Sequence, residues 1–206
     1  MPALPGRKPQ IFAIGSKWQS EGDRSKEDVN VDLLDQFDRS TQWSASKIPA
    51  ATNKLDDVTP CEQWDVRSLL DHMIDTQNFF AARARGEEPA FPGATPPSLI
   101  GDDPVAAYEK ARQETLRAHQ EPGALEKTGP LLGIAFCDQL IHGWDLATAT
   151  GQDATMPDDL AAAAFAMLDG RLTDEQRGKA FKPAVDIADD ASLQDKLLAY
   201  TGRRPS

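Results

Sequence analysis

Residues 136–151 read FCDQLIHGWDLATATG, and the spacing of the polar residues in this stretch decides how the chain folds. Asp138, His142 and Asp145 recur at steps of four and three. With Leu131, Ala135 and Ala149 they lie along one seam of a helix. Phe136, Leu140, Ile141 and Trp144 between them are core-type residues. Polar groups placed this way are either exposed or satisfied by a buried partner. The pattern predicts a helix that starts after Gly129-Pro130 and stops at Gly151, a glycine suited to the residue just past a helix end.

A partner seam lies upstream. TPCEQWDVRSLLDHMIDTQNFF, residues 59–80, carries Asp65 as an N-cap, with Trp64 and Leu69 spaced as a hydrophobic staple, and predicts a helix from Val66 to about Arg85. Asp65, Leu69, His72, Thr76 and Phe79 repeat at steps of four and three, which puts His72 on the stripe that faces inward. From Val29 an apolar periodicity through Leu33, Leu34, Phe37 and Ile48 predicts a first long helix. Asp103 followed by Pro104 opens another, which ends near Pro122-Gly123. Two shorter helices follow, ended by Gly170 and Gly202, and only KPAVDIADD, residues 182–190, reads as extended. The expectation is an all-α protein: a four-helix bundle with additional C-terminal helices and a small irregular or extended C-terminal segment. Residues 1–28 mix Pro, Gly and charge without periodicity and read as a flexible tail; residues 29–206 read as the domain.

The 206 residues are 40% hydrophobic, enough for a single core with an appendage, and the formal net charge of -11 repels nucleic acid and anionic membranes. No apolar run reaches the roughly 20 residues of a membrane span. With two cysteines and no C-x-x-C pair, a soluble cytoplasmic protein is expected. Cys61 and Cys137 read as small loop or core residues. On a helix, Cys137 points about 100° away from Asp138, which disfavours a role as soft metal ligand.

Two of the three histidines thus lie on core-facing stripes of separate helices, and His142 has a carboxylate four residues earlier. Helical bundles build metal sites from such inward-facing side chains, and two imidazoles with one carboxylate leave positions for water or substrate. The same spacing occurs often by chance, and a lone histidine on an apolar face is more often a hydrogen-bonded core residue. His119, in RAHQEP at a helix end, reads as a solvated surface residue. Arg67 and Asp71 read as a surface ion pair one turn apart, and Trp144 as core packing.

TPCEQWDVRSLLDH and DQLIHGWDLATATGQ resemble the two signature stretches of the DinB-like metal-binding family related to mycothiol-dependent maleylpyruvate isomerase. DDASLQDKLLAYTGRRP resembles the ending of a short stand-alone branch, and the resemblance runs from about Val29 to Pro205. It implies a bundle holding a divalent metal on His72, Asp138 and His142, with zinc ahead of nickel or iron and mycothiol as cosubstrate. Asp145 becomes a candidate for orienting a ligand from behind. The family's acidic ligand is Glu where this chain has Asp138, and the isomerase's extra C-terminal domain does not fit in this length. The segment EKTGPLLGIAF is also short for a family linker.

The implied activity is a mycothiol-dependent S-transferase or isomerase acting on a small thiol and a small electrophile, with the transferase preferred because the extra domain is missing. No general acid or base can be named. A homodimer is compatible with this reading; nucleic acid and membrane are not expected partners. The alternatives are a non-catalytic metal- or ligand-binding bundle and, less favoured, a facial-triad iron oxygenase.

Overall fold

The computed structural model describes residues 26–62, 64–171 and 181–205, with side chains from Asp32 onward. Most of the segment expected to be a tail, residues 1–25, lies outside them. The described residues are helical: α1 (Lys26–Ala45), α2 (Ile48–Ala51), α3 (Val66–Ala84), α4 (Pro104–Gln120), α5 (Ala124–Ala149), α6 (Asp158–Leu168) and α7 (Leu193–Tyr200). Among the described residues there is no strand, only an isolated bridge between Val58 and Asp65, so the fold is all-α. Among the described residues, no helix is long and apolar enough to cross a membrane.

The helix starts follow local chemistry. The Asp65 carboxylate accepts the Ser68 N–H at 2.8 Å and the Asp103 carboxylate accepts the Ala106 N–H at 3.0 Å, each satisfying a donor the helix itself leaves unpaired. The first helix differs from expectation at both ends. It begins at Lys26, and Ile48 falls on the one-turn helix α2, because Pro49 cannot continue α1.

The start of α5 is a larger correction. The helix begins at Ala124, so Gly129 and Pro130 lie inside it and EKTGPLLGIAF is helix rather than linker. Gly123, at φ +78°, makes the turn, and the Thr128 hydroxyl donates to the Ala124 carbonyl at 2.8 Å. A proline inside a helix costs about 3 kcal/mol, against which the turns before it bury Ala124 and Thr128 and pack Leu125 on the core.

The four long helices pack together, α1 and α3 each against both α4 and α5, while α6 and α7 pair with each other beside α5. One apolar cluster joins Phe37 of α1, Phe136, Leu140 and Trp144 of α5, Leu160 of α6 and Leu197 of α7; a second joins Leu69, Leu70 and Met73 of α3 to Tyr108 of α4 and Leu146 of α5. Trp144 is therefore core, as its sequence context suggests. Residues 182–190 form no strand; the Val185 N–H donates to the Ala199 carbonyl at the end of α7.

α1 packs tightly on α5 beside His142. A Cβ at Gly143 would sit 2.7 Å from the Trp43 ring and 2.9 Å from the Ser44 Cβ, while the Ser44 hydroxyl donates to the Gln139 carbonyl at 2.8 Å. Alanine at position 143 gains about 1 kcal/mol of helix propensity but overpacks the contact by about 1–3 kcal/mol. Gly143→Ala is therefore expected to lower the melting temperature. An unchanged or higher value would show that the helices can separate freely.

Candidate metal centre

Packing of α3 against α5 turns the two seams toward each other. His72 and Thr76 come from α3, and Asp138, His142 and Asp145 from α5. One ligand atom from each of His72, Asp138 and His142 lies within 4.8 Å of the others, so the three form a group that could hold a metal ion. Asp138 Oδ1 is 3.4 Å from His72 Nε2 and 3.4 Å from His142 Nε2. The side chains are 12%, 21% and 10% exposed for His72, Asp138 and His142, so the cluster is largely enclosed yet reachable.

The spacing is informative. An N–H···O bond normally spans about 2.7–3.2 Å, so 3.4 Å is long for a shared proton. Two ligands held about 2.0–2.1 Å from one ion at a tetrahedral angle stand about 3.3–3.4 Å apart. Both contacts of Asp138 Oδ1 have that length.

Each ligand candidate is held from behind. Asp138 Oδ2 accepts from the Thr76 hydroxyl at 3.1 Å and from Gln139 Nε2 at 3.2 Å, which leaves Oδ1 to face the imidazoles. Gln139 is itself oriented by the Tyr108 hydroxyl, which donates to its Oε1 at 2.8 Å. His142 Nδ1 lies 2.9 Å from Asp145 Oδ2, and Asp145 is fully buried. His72 is fixed by stacking: the Trp64 ring lies 4.2 Å away at 28°, and Trp64 Nε1 donates to the Ala94 carbonyl at 2.8 Å. His72 Nδ1 is buried without a hydrogen-bond partner among the described residues.

Electrostatics follow from these neighbours. Burial pushes the Asp138 carboxyl up, but the His142 and His72 imidazoles outweigh it and hold the group well below the carboxylate range. Burial pushes His142 down, yet Asp138 and Asp145 raise it to about 9. Asp145, pushed up by burial, is drawn down to about 2 by Arg203 and His142. Without an ion, a proton on His142 supplies the positive charge between the two carboxylates.

Several expectations change. His119 is not a surface residue: it is 1% exposed, its Nδ1 is 2.8 Å from the Thr115 carbonyl, its Nε2 has no partner among the described residues, and burial lowers its pKa. His119 continues the buried face of α4, which carries Tyr108, Ala111 and Thr115 at steps of three and four. Asp71 is buried and accepts the backbone N–H groups of Leu99 and Ile100 at 2.5 and 2.9 Å, pinning the long loop after α3 rather than pairing with Arg67. Cys137 packs toward α6, with its sulfur 3.7 Å from Met167 Sδ, and takes no part in the cluster. Cys61 is a half-buried loop residue whose thiol burial pushes up.

Arg203, Gln139 and Trp64 carry no sequence signal that places them at this site. Thr76 lay on the seam without an assigned partner. Arg203 Nη2 donates to Asp145 Oδ2 at 2.8 Å and Nε donates to Oδ1 at 3.2 Å. No local period marks an arginine 58 residues from its carboxylate.

No family model matches the chain, and no solved structure does. Its sequence is similar to Uncharacterized protein MT0763 of Mycobacterium tuberculosis (strain CDC 1551 / Oshkosh) and to Uncharacterized protein Rv0738 of Mycobacterium tuberculosis (strain ATCC 25618 / H37Rv). Each is 28% identical over 163 residues, covering 73% of this chain and 86% of the relative. The chain thus shares most of its length with mycobacterial proteins whose names assign no activity.

Proposed function

We propose that this chain is a divalent-metal protein of the DinB-like type, with His72, Asp138 and His142 as ligands of zinc, and that it acts as an S-transferase or isomerase on a low-molecular-weight thiol such as mycothiol. One observation carries the metal reading: a single carboxylate oxygen stands at ligand-edge distance from two imidazole nitrogens, with its other oxygen already hydrogen-bonded. Nickel and iron suit the same donors. The thiol reading rests on the resemblance of the two signature stretches.

When bound, the ion would supply Lewis acidity that favours the thiolate form of a thiol. The chain's own residues have narrower tasks. Asp138 and the two histidines would supply three donors to the ion and leave room for a further ligand. Trp64 covers one side of His72, and the indole lies 5.7 Å from the His142 ring, which limits approach from that side. Neither cysteine suits nucleophilic work, since burial pushes both thiols above their ordinary range, so the sulfur would have to come from a cosubstrate.

A non-catalytic metal-binding bundle is the second reading, since the same three side chains can hold an ion without any catalytic group beside them. The test is elemental analysis of the purified protein followed by a panel of electrophiles with mycothiol and other cellular thiols. Stoichiometric metal with thiol-dependent turnover is the expected result. Stoichiometric metal without turnover or saturable thiol binding selects the binding bundle, and protein that takes up no metal at all overturns both readings.

A further inference from the structure

We propose that Arg203 is a positioning residue of the metal centre: from the C-terminal end of the chain it clamps Asp145 and thereby sets which nitrogen of His142 faces Asp138 and the ion. The inference rests on the metal reading above.

The path begins in the cap of α7. The Arg203 N–H donates to the Leu198 carbonyl at 2.8 Å and the Gly202 N–H to the Ala199 carbonyl at 3.0 Å, the paired bonds of a Schellman turn with Gly202 at φ +82°. A Cβ at position 202 would sit 3.0 Å from the Lys182 backbone, so both the conformation and the space require glycine there. This turn reverses the chain and sends the guanidinium into the bundle, where Arg203 is 8% exposed. Its Nη1 donates to the Thr201 carbonyl at 3.1 Å, which fixes the head group from the other side.

At Asp145 both oxygens are engaged. Oδ1 accepts from Arg203 Nε, and Oδ2 accepts from Arg203 Nη2 and faces His142 Nδ1. A planar guanidinium binding both oxygens fixes the plane of the carboxylate, which a single donor does not. With that plane fixed, Oδ2 accepts the Nδ1 hydrogen of His142, and the other ring nitrogen, Nε2, points at Asp138 Oδ1. Loss of the clamp would let Asp145 rotate and the imidazole follow it. The C-terminal residues thus complete a site whose ligands all lie on α3 and α5.

The test uses the full chain and Arg203→Lys, which keeps the charge but not the fork. Zinc affinity is measured by competition with a chromogenic chelator, and coordination by the visible absorption of the cobalt-loaded protein. The expected result is a folded, helical variant with zinc affinity weaker by roughly 10–100-fold and an altered cobalt spectrum. A folded variant with parental affinity and parental spectrum would reduce Arg203 to docking the C-terminus and overturn the inference. Asp145→Asn is expected to reproduce the loss, and the double variant to add little to it, because the two residues act through one path. Additive losses overturn the inference, and so does a parental cobalt spectrum in Asp145→Asn, which carries the test should Arg203→Lys not fold. Parent protein that binds no metal overturns the metal reading instead, an outcome visible before any variant is made.

Discussion

Alanine at position 142 is expected to weaken zinc binding by about 10²–10³-fold while leaving the helical content intact. Structural zinc sites contribute about 10–16 kcal/mol over four ligands, so one ligand accounts for about 2.5–4 kcal/mol. Isothermal titration of parent and His142→Ala reads this directly, and equal stoichiometric binding by the two would remove His142 from the ligand set. The parent's binding should also depend on pH in a defined direction. His142 is raised to about 9 in the metal-free protein, so below that pH the ion must displace a proton. One released proton makes affinity rise about tenfold per pH unit up to about pH 9.

Stability of the metal-free protein should move the opposite way. A histidine whose folded pKa lies above its ordinary value of 6.5 binds its proton more tightly when folded. Its contribution is fully present below pH 6.5 and is lost as pH rises through about 9. Melting temperatures of chelator-treated protein should therefore fall over that window. A flat profile would mean that Asp138 and Asp145 do not act on His142 as the geometry requires.

Asp145→Ala is expected to give the largest loss of stability, about 3–5 kcal/mol, because it strands the buried guanidinium of Arg203 without its counter-charge. Against a total of about 5–15 kcal/mol for a typical domain, that loss leaves a marginal fold. Chemical denaturation measures it, and the mechanism has its own signature. Replacing both partners, Asp145→Leu with Arg203→Met, removes the stranded charge and should recover much of the lost stability. A double variant as unstable as Asp145→Ala would show that the loss comes from packing or from His142 rather than from the unpaired arginine.

The residues that converge at the centre could be read from the chain because helical geometry is periodic. Steps of four and three put Asp138, His142 and Asp145 on one line and His72 and Thr76 on another, and two amphipathic helices bury such lines against each other. The starts of α3 and α4 were equally legible, since Asp65 and Asp103 each satisfy a donor only three residues away. The amino-acid sequence by itself therefore determined the all-α class, most helix boundaries and the identities of three side chains that could share an ion.

Only the tertiary structure decided the rest, because those features balance a local preference against distant contacts. Gly129-Pro130 is a local stop signal, yet α5 runs through it, since Ala124, Leu125 and Thr128 before it pack against the rest of the fold. His119, which a polar neighbourhood in sequence had marked as exposed, is buried in the last turn of α4. Asp71 lies one residue before His72 and finds its donors in the loop at Leu99 and Ile100 rather than one turn away at Arg67. Arg203 reaches Asp145 across 58 residues through a turn that Gly202 permits. Periodicity reports which residues share a face; which charge meets which across the bundle depends on the order in which whole helices pack, and no local spacing carries that information.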